Sequence, residues 1–275
     1  MDLKDKIISA STMSNLHVLT LNTQGGYHDK LRSALKNFFQ LTFDAGTYDF
    51  FLLQEVNENV LPLLEHHSYK LVRIFDDKAK KESEVCIVYR AAYKVVQTGF
   101  KSFAPLQYRK YKGGFKCPSF GVLRADIDTG SEIIRLVSLH VHSGTDRSLR
   151  LTELRLAKEL ACTDVSVPTI IGGDFNFVFP GEAARGAEIL APEFTQVTKS
   201  LAPTLDTRYC DNGPSLMTRV SSFLGRFNVG VSFHTDHFFI NKLMADICTT
   251  ECHVLGNRVS DHSPVSLFQV ISSKN

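Results

Sequence analysis

Short apolar runs that end abruptly in polar residues recur along this chain. Leu16-His17-Val18-Leu19-Thr20-Leu21 stops at Asn22-Thr23-Gln24, and Asp49-Phe50-Phe51-Leu52-Leu53 stops at Gln54-Glu55. The run 133–139 stops at His140, and Thr169-Ile170-Ile171 leads through Gly172-Gly173 into Asp174-Phe175-Asn176. Aliphatic and aromatic runs of this kind, bounded by turn formers, predict strands. Further strands are expected over 85–90, 93–100, 119–127, 236–240 and 264–270.

Two segments follow the helical period instead. Apolar residues at 31, 34, 35 and 38 form a stripe within 28–42. Leu149, Leu151, Leu154, Leu156, Ala157 and Leu160 form a stronger one within 146–161, where Asp146 is placed as an N-cap. Strands and hairpins alternating with a few helices predict an α/β sandwich of two packed sheets with helices outside. The stretch 178–235 has few periodic signals. A structureless loop of that length is unusual in a compact domain, so short helices and substrate-facing loops are expected there.

Composition narrows this picture only a little. The 275 residues, 43% hydrophobic, suffice for a full core. A formal charge of +2 gives no argument for nucleic acid as a partner, which only local clusters could supply. No apolar run is long enough for a membrane span. Residues 1–14 open with charges and lack an apolar signal core, so they are expected to form a loose leader on a cytoplasmic, monomeric protein whose single domain covers 15–272. Six cysteines without a Cys-x-x-Cys pair fit a reducing compartment; Cys248 and Cys252 stand four apart without a second pair.

The polar run-ends carry the chemistry. Period-2 alternation puts Asp174 and Asn176 on one side of a strand end, and the preceding glycines allow a sharp turn and close approach to a ligand. A carboxylate beside an amide donor suits a cation-bound oxyanion. Polar groups gathered at one end of several strands form the active site in many α/β folds.

The order Asn22, Glu55, His140, Asp174/Asn176, Asp236, Asp261/His262 resembles the endonuclease/exonuclease/phosphatase superfamily. The matching text is LNTQGG, LLQEV, SLHVHSG, GGDFN, TDHFFI and VSDHSPV, spread over nearly the whole chain. That superfamily includes pancreatic-type deoxyribonucleases, apurinic endonucleases, neutral sphingomyelinases, inositol-polyphosphate 5-phosphatases and tyrosyl-DNA phosphodiesterases. The resemblance implies a four-layer sandwich, two packed mixed β-sheets flanked by helices. It also implies a Mg²⁺-dependent phosphoester hydrolase, with Mn²⁺ able to substitute, since carboxylate and amide oxygens select these ions over zinc.

By that resemblance Glu55 is the main metal ligand, with the Asn22 amide oxygen beside it and Asp261 close to the ion or its waters. Asp236 pairs with His262, fixing its tautomer and raising its basicity. His262 then deprotonates a water or binds phosphate as a cation; the alternative gives the base role to Asp174. Asn176 donates to phosphate oxygens. His140 contacts the scissile phosphate, with Glu84 or Glu82 as its partner acid. His142 and His237 are expected to be non-catalytic.

Substrate signals are fewer. Thr204-Leu205-Asp206 stands where some relatives carry a Thr-Trp-Asp segment that touches substrate. This chain has no Trp, so stacking there is lost, while Arg208 remains available to phosphate. Residues 107–116 interleave Arg109, Lys110, Lys112 and Lys116 with Tyr108, Tyr111 and Phe115. Cations among stacking faces suit a flexible unpaired strand, which makes Arg109 and Lys112 candidates for binding single-stranded nucleic acid. The expected activity is a nucleic-acid phosphodiesterase of endo/exonuclease or end-processing type. The alternative is a lipid or inositol-phosphate phosphoesterase, which calls for a membrane-facing apolar loop or a dense basic pocket. A non-catalytic binding module is disfavoured because every motif position holds a competent residue.

Overall fold

In the computed structural model, residues 15–24, 29–77, 81–103, 120–143, 146–198, 201–206, 232–256 and 259–271 are described. Twelve strands build two sheets. In chain order they are β1 (Leu16–Asn22), β2 (Phe50–Gln54), β3 (Tyr69–Val72), β4 (Cys86–Arg90), β5 (Lys94–Ser102) and β6 (Gly121–Asp128). Then follow β7 (Ile133–His140), β8 (Thr169–Asp174), β9 (Phe194–Gln196), β10 (Asp236–Asn241), β11 (Cys248–Val254) and β12 (Val265–Ile271). The helices are α1 (Asp29–Asp44), α2 (Arg147–Ala161), α3 (Glu182–Leu190) and α4 (Lys242–Ile247). One sheet runs β11-β12-β1-β2-β4-β3 and the other β9-β10-β8-β7-β6-β5. Each has one parallel pair at its centre, β1 with β2 and β7 with β8.

The period-2 pattern assigns each strand's two faces. Leu16 and Val18 of β1, with Phe50 and Leu52 of β2, meet Leu136, Ile170, Phe238 and Ile240 of the other sheet in the central core. The alternate residues Leu19, Leu21, Phe51 and Leu53 face outward and are covered by Leu35, Phe38, Phe39 and Phe43 of α1. On the far side Val137, Leu139, Ile171 and Phe239 are covered by Leu154, Ala157 and Leu160 of α2 and Leu190 of α3. The result is helix, sheet, sheet, helix, the four layers that the family resemblance implied. Each fully buried large side chain in these layers stabilises the fold by about 1.5–3 kcal/mol.

Both long helices lie where the stripes placed them, and the Asp146 side chain accepts from the Leu149 N–H as the expected N-cap. Within 178–235 the structure holds α3 and β9, while 207–231 falls outside the described residues. Cys248 and Cys252 lie on one strand, both as free thiols, and Cys248 Sγ donates to the Met244 carbonyl. No described helix is long and apolar enough to cross a membrane.

Two glycines let β8 run through the middle of its sheet. A Cβ on Gly172 would overlap the ring of Phe238 and come within 2.8 Å of Leu52. One on Gly173 would collide with the Leu139 carbonyl oxygen. The strand that ends in Asp174 can therefore sit this close to both sheets only without side chains at these positions.

Candidate active site

The two parallel pairs end at the same pole of the sandwich, and β10 begins there. Asp174 is in register with His140 on one side and with Asp236 on the other. Asn22, His140, Asp174 and Asp236 fall on the inward side of their strands, so all four gather between the sheets.

Asn22 joins the two sheets. Its Nδ2 donates to Glu55 Oε1 and to Asp174 Oδ2, both at 3.0 Å, while its Oδ1 accepts from the Gln24 N–H at 2.9 Å. Strand alternation alone would send Glu55 outward with Phe51 and Leu53. A left-handed turn at Glu55 (φ 56°) breaks the alternation and brings the carboxylate to Asn22. Among the described residues, the other non-glycine residues with positive φ are Gln24 (51°) and Asn176 (50°), also in this site. Backbone of this kind costs about 1–3 kcal/mol per residue and persists where the surroundings over-determine it.

His262 lies between carboxylates. Its Nδ1 is 2.7 Å from Asp236 Oδ2, and its Nε2 is 3.7 Å from Asp174 Oδ2 and 3.9 Å from Asp261 Oδ1. Burial works against its charge, but Asp236, Asp261 and Asp174 together hold its pKa well above the ordinary imidazole value. These surroundings favour its imidazolium form. Burial pushes Asp236 upward, yet the His262 charge and hydrogen bonds from His262, Thr204 and Thr235 outweigh it and keep Asp236 below the usual carboxylate value.

His140 has the opposite character. Burial, aided by the nearby His262 cation, lowers its pKa to about 3, so it is neutral. Its Nε2 is 3.7 Å from Glu55 Oε1 and 3.9 Å from Asp174 Oδ2, and its ring packs 4.5 Å from that of Phe120. The acids within reach of it are thus Glu55 and Asp174.

The remaining carboxylates are crowded. Burial first, then the charge of Asp261, pushes Glu55 up to about 8, and burial pushes Asp174 up to about 7. Glu55, Asp174, Asp236 and Asp261 converge on one imidazolium, an excess of negative charge that a divalent cation would offset. This donor set fits the Mg²⁺ or Mn²⁺ that the resemblance implies. Asp174, Asp236 and His262 also offer ligand atoms within 4.8 Å of one another. His262 Nδ1 is committed to Asp236, however, and Glu55 and Asp261 bring two further carboxylates to the same site.

Asn176 departs from its sequence-based placement. The strand ends at Asp174, so alternation does not continue; instead the Asn176 N–H donates to Asp174 Oδ1 at 2.9 Å, closing a tight turn. Its Nδ2 donates to the Val141 carbonyl at 2.9 Å, which leaves its second N–H for another acceptor. His237 is held by Gln196, Thr198 and the His234 carbonyl, and the His142 ring packs edge-on against Phe120, so each has a packing role. Arg109, Lys112 and Arg208 lie outside the described residues.

Several supporting residues escaped the sequence reading. Thr204 accepts both the Thr235 and Asp236 N–H groups at 3.2 Å, so it braces the Asp236 turn from the segment expected to touch substrate. Ser260 Oγ donates to the Asn22 carbonyl at 2.7 Å, tying the entry of β12 to β1. Gln54 Nε2 donates to Ser138 Oγ at 3.1 Å and joins the sheets directly beneath the site. Each lay in a quoted segment, Gln54 beside Glu55, Ser260 beside Asp261 and Thr204 before Leu205, but none had been given this bracing role.

Comparison with known proteins agrees with this architecture. Danio rerio TDP2 complexed with single-strand DNA product superposes with a TM-score of 0.71 at 18% identity, covering 94% of this chain and all of that one. Truncated Caenorhabditis elegans TDP2 gives 0.68 at 14% identity, with 94% and 98% covered. The Bacteroides thetaiotaomicron mannosyl-6-phosphatase Bt3783 gives 0.65 at 17% identity, with 93% and 100% covered. A search of curated proteins by sequence finds no match. The model of the Endonuclease/Exonuclease/phosphatase family matches residues 19–262. The chain therefore belongs to the endonuclease/exonuclease/phosphatase family of phosphoester hydrolases.

Proposed function

We propose that this protein is a Mg²⁺-dependent phosphodiesterase acting on nucleic acid with an unpaired strand, as an endo/exonuclease or an end-processing enzyme. The observation that carries the hydrolase chemistry is the Asp236–His262–Asp174 chain beside the Glu55–Asp261 carboxylates. A cation and a carboxyl with a pKa near 7 lie 3.7 Å apart at the mouth of two sheets. Glu55 and Asp261 would hold the ion, which supplies charge neutralisation at phosphate, whereas Asn22 turns its Nδ2 and not the expected amide oxygen toward Glu55 and so orients the carboxylates. His262, already protonated, suits a phosphate oxygen. Asp174 suits the water proton, because a general base works best with a pKa near the operating pH. Neutral His140 and the second N–H of Asn176 offer hydrogen bonds to the remaining phosphate oxygens.

The substrate class rests on other ground. Tyr108, Tyr111 and Phe115 among Arg109, Lys110, Lys112 and Lys116 combine base-stacking faces with phosphate-binding cations. The similarity to a TDP2 bound to a single-strand DNA product supports the same class. The mannosyl-6-phosphatase among the similar structures keeps a phosphomonoester as the second reading. A metal-dependent panel of single-stranded DNA, duplex DNA, RNA, phosphoinositide, sphingomyelin and a sugar phosphate separates these. The triple substitution Arg109→Ala, Lys110→Ala, Lys112→Ala is expected to raise KM on an oligonucleotide far more than on bis(4-nitrophenyl) phosphate. Equal effects on both, or turnover confined to lipids or monoesters, would overturn the nucleic-acid assignment.

A further inference from the structure

Helix α2 carries charges inside the protein that the chemistry above does not use. Arg150 and Glu153, one turn apart, are both fully buried. Burying a carboxylate is costly unless it is hydrogen-bonded, so each such group calls for an account. Glu153 Oε2 accepts the His142 N–H at 2.7 Å. Arg150 donates at 2.5 Å to Glu182 Oε1, and Glu182 Oε2 accepts the N–H groups of Val178 and Phe179 at 3.0 and 2.9 Å. Two buried carboxylates thus hold backbone amides of the two loops that leave β7 and β8.

Those loops are joined at Val141. Its N–H donates to the Asp174 carbonyl at 3.1 Å, and its carbonyl accepts Asn176 Nδ2 at 2.9 Å. Val141 stands between His140 and the amide that Glu153 holds. A shift of the His142 peptide therefore moves the acceptor that orients Asn176, and the His140 end of β7 with it. We infer that Glu153 is a positioning residue for the hydrolytic site: its carboxylate pins the His142 amide and so sets the Asn176 side chain and His140. The Arg150–Glu182 pair does the same for the Val178–Phe179 side of the turn. This inference rests on the hydrolase reading only for its consequence in turnover.

Three variants test it. Glu153→Gln keeps an acceptor at the same reach without charge. Glu153→Asp keeps the charge but withdraws the acceptor by one methylene. Glu153→Met removes the acceptor at similar volume. In metal-free protein the side-chain NH₂ cross-peaks of Asn176 are read by ¹H–¹⁵N NMR, and kcat and KM on bis(4-nitrophenyl) phosphate are read with Mg²⁺. The expected result is wild-type Asn176 peaks and near wild-type kcat for Gln. Asp and Met should shift the peaks and lower kcat by about 10²-fold at little changed KM, as small misplacements of catalytic groups do. If Met does not fold, the Gln and Asp variants decide. Asp outperforming Gln, or unshifted Asn176 peaks in a folded Asp variant, would overturn the inference. A wild type inactive on every phosphoester would instead defeat the hydrolase reading, while the metal-free spectra would still report on Glu153.

Discussion

The Asp236–His262 pair permits the sharpest test of the proposed chemistry. Asp236→Asn keeps the volume of the side chain, and the Thr204 hydroxyl bonds to the backbone N–H of residue 236, which the change does not touch. His262 is not left alone either, because Asp174 and Asp261 still face its Nε2 at 3.7 and 3.9 Å. The fold should therefore survive. What is lost is the charge on the acceptor of the 2.7 Å bond to His262, an oxygen that also receives Thr235 Oγ at 3.1 Å. Such a bond is worth about 1.5–3 kcal/mol. If that energy is used in the transition state, kcat falls by about 10- to 150-fold. His262→Gln, removing the group itself, should lose about 10²–10⁴-fold. Because Asp236 acts through His262, the double variant should lose no more than His262→Gln alone, a coupling of about 1.5–3 kcal/mol. The assay is kcat and KM on bis(4-nitrophenyl) phosphate at saturating Mg²⁺, with Tm measured alongside. Losses that add to within about 0.5 kcal/mol would refute the unit. So would a fall in Tm that accounts for the lost activity.

Other consequences follow from the same geometry. Glu55 is raised from 4.5 to about 8 and Asp174 from 3.8 to about 7, so each binds its proton more tightly folded than unfolded. The contribution of these two carboxyls to the stability of metal-free protein should accordingly fall as pH rises from about 4.5 to about 8, opposed below about 6.5 by that of His140, whose pKa is lowered to about 3. Glu55→Gln should weaken this slope and abolish both Mg²⁺-dependent turnover and the Mg²⁺-induced rise in Tm; an unchanged Mg²⁺ response would remove Glu55 from the metal site. Gly173→Ala forces a methyl into the Leu139 carbonyl and should destabilise by several kcal/mol, leaving little folded protein by circular dichroism. Arg135 grips Asp126 at 2.8 and 2.9 Å and also donates to the Ala161 and Asp164 carbonyls. Arg135→Met should cost about 3–5 kcal/mol in urea unfolding, because it leaves Asp126 only Arg124 at 3.7 Å as a cationic partner and the two carbonyls without their donor, and Asp126→Asn in the same background should recover part of it.

The strands in the middle of the sheets were readable from the chain alone, because burial on both faces leaves unbroken apolar runs that stop where polar groups begin. The strands that escaped notice are at sheet edges: β3, β9 and β11. Solvent on one side lets polar residues interrupt their pattern, as in Cys248–Val254, where beyond the buried Cys248 exposed and half-buried positions alternate. The motif order also named the candidate residues from the chain alone, since Asn22, Glu55, His140 and Asp174 close apolar runs and Asp236 and Asp261 open them. It could not say how they meet. Asn22 bonds to Glu55 across 33 residues and to Asp174 across 152, and no local pattern encodes such contacts. Nor could the alternation rule anticipate the left-handed turns at Glu55 and Asn176, which redirect both side chains. Protonation was likewise decided by the fold. His140 and His262 are the same residue type at similar run-ends, yet one is neutral and the other a cation. The difference lies in what burial places around each ring: His262 is enclosed by three carboxylates, whereas His140 is buried against Phe120 and repelled by the His262 charge.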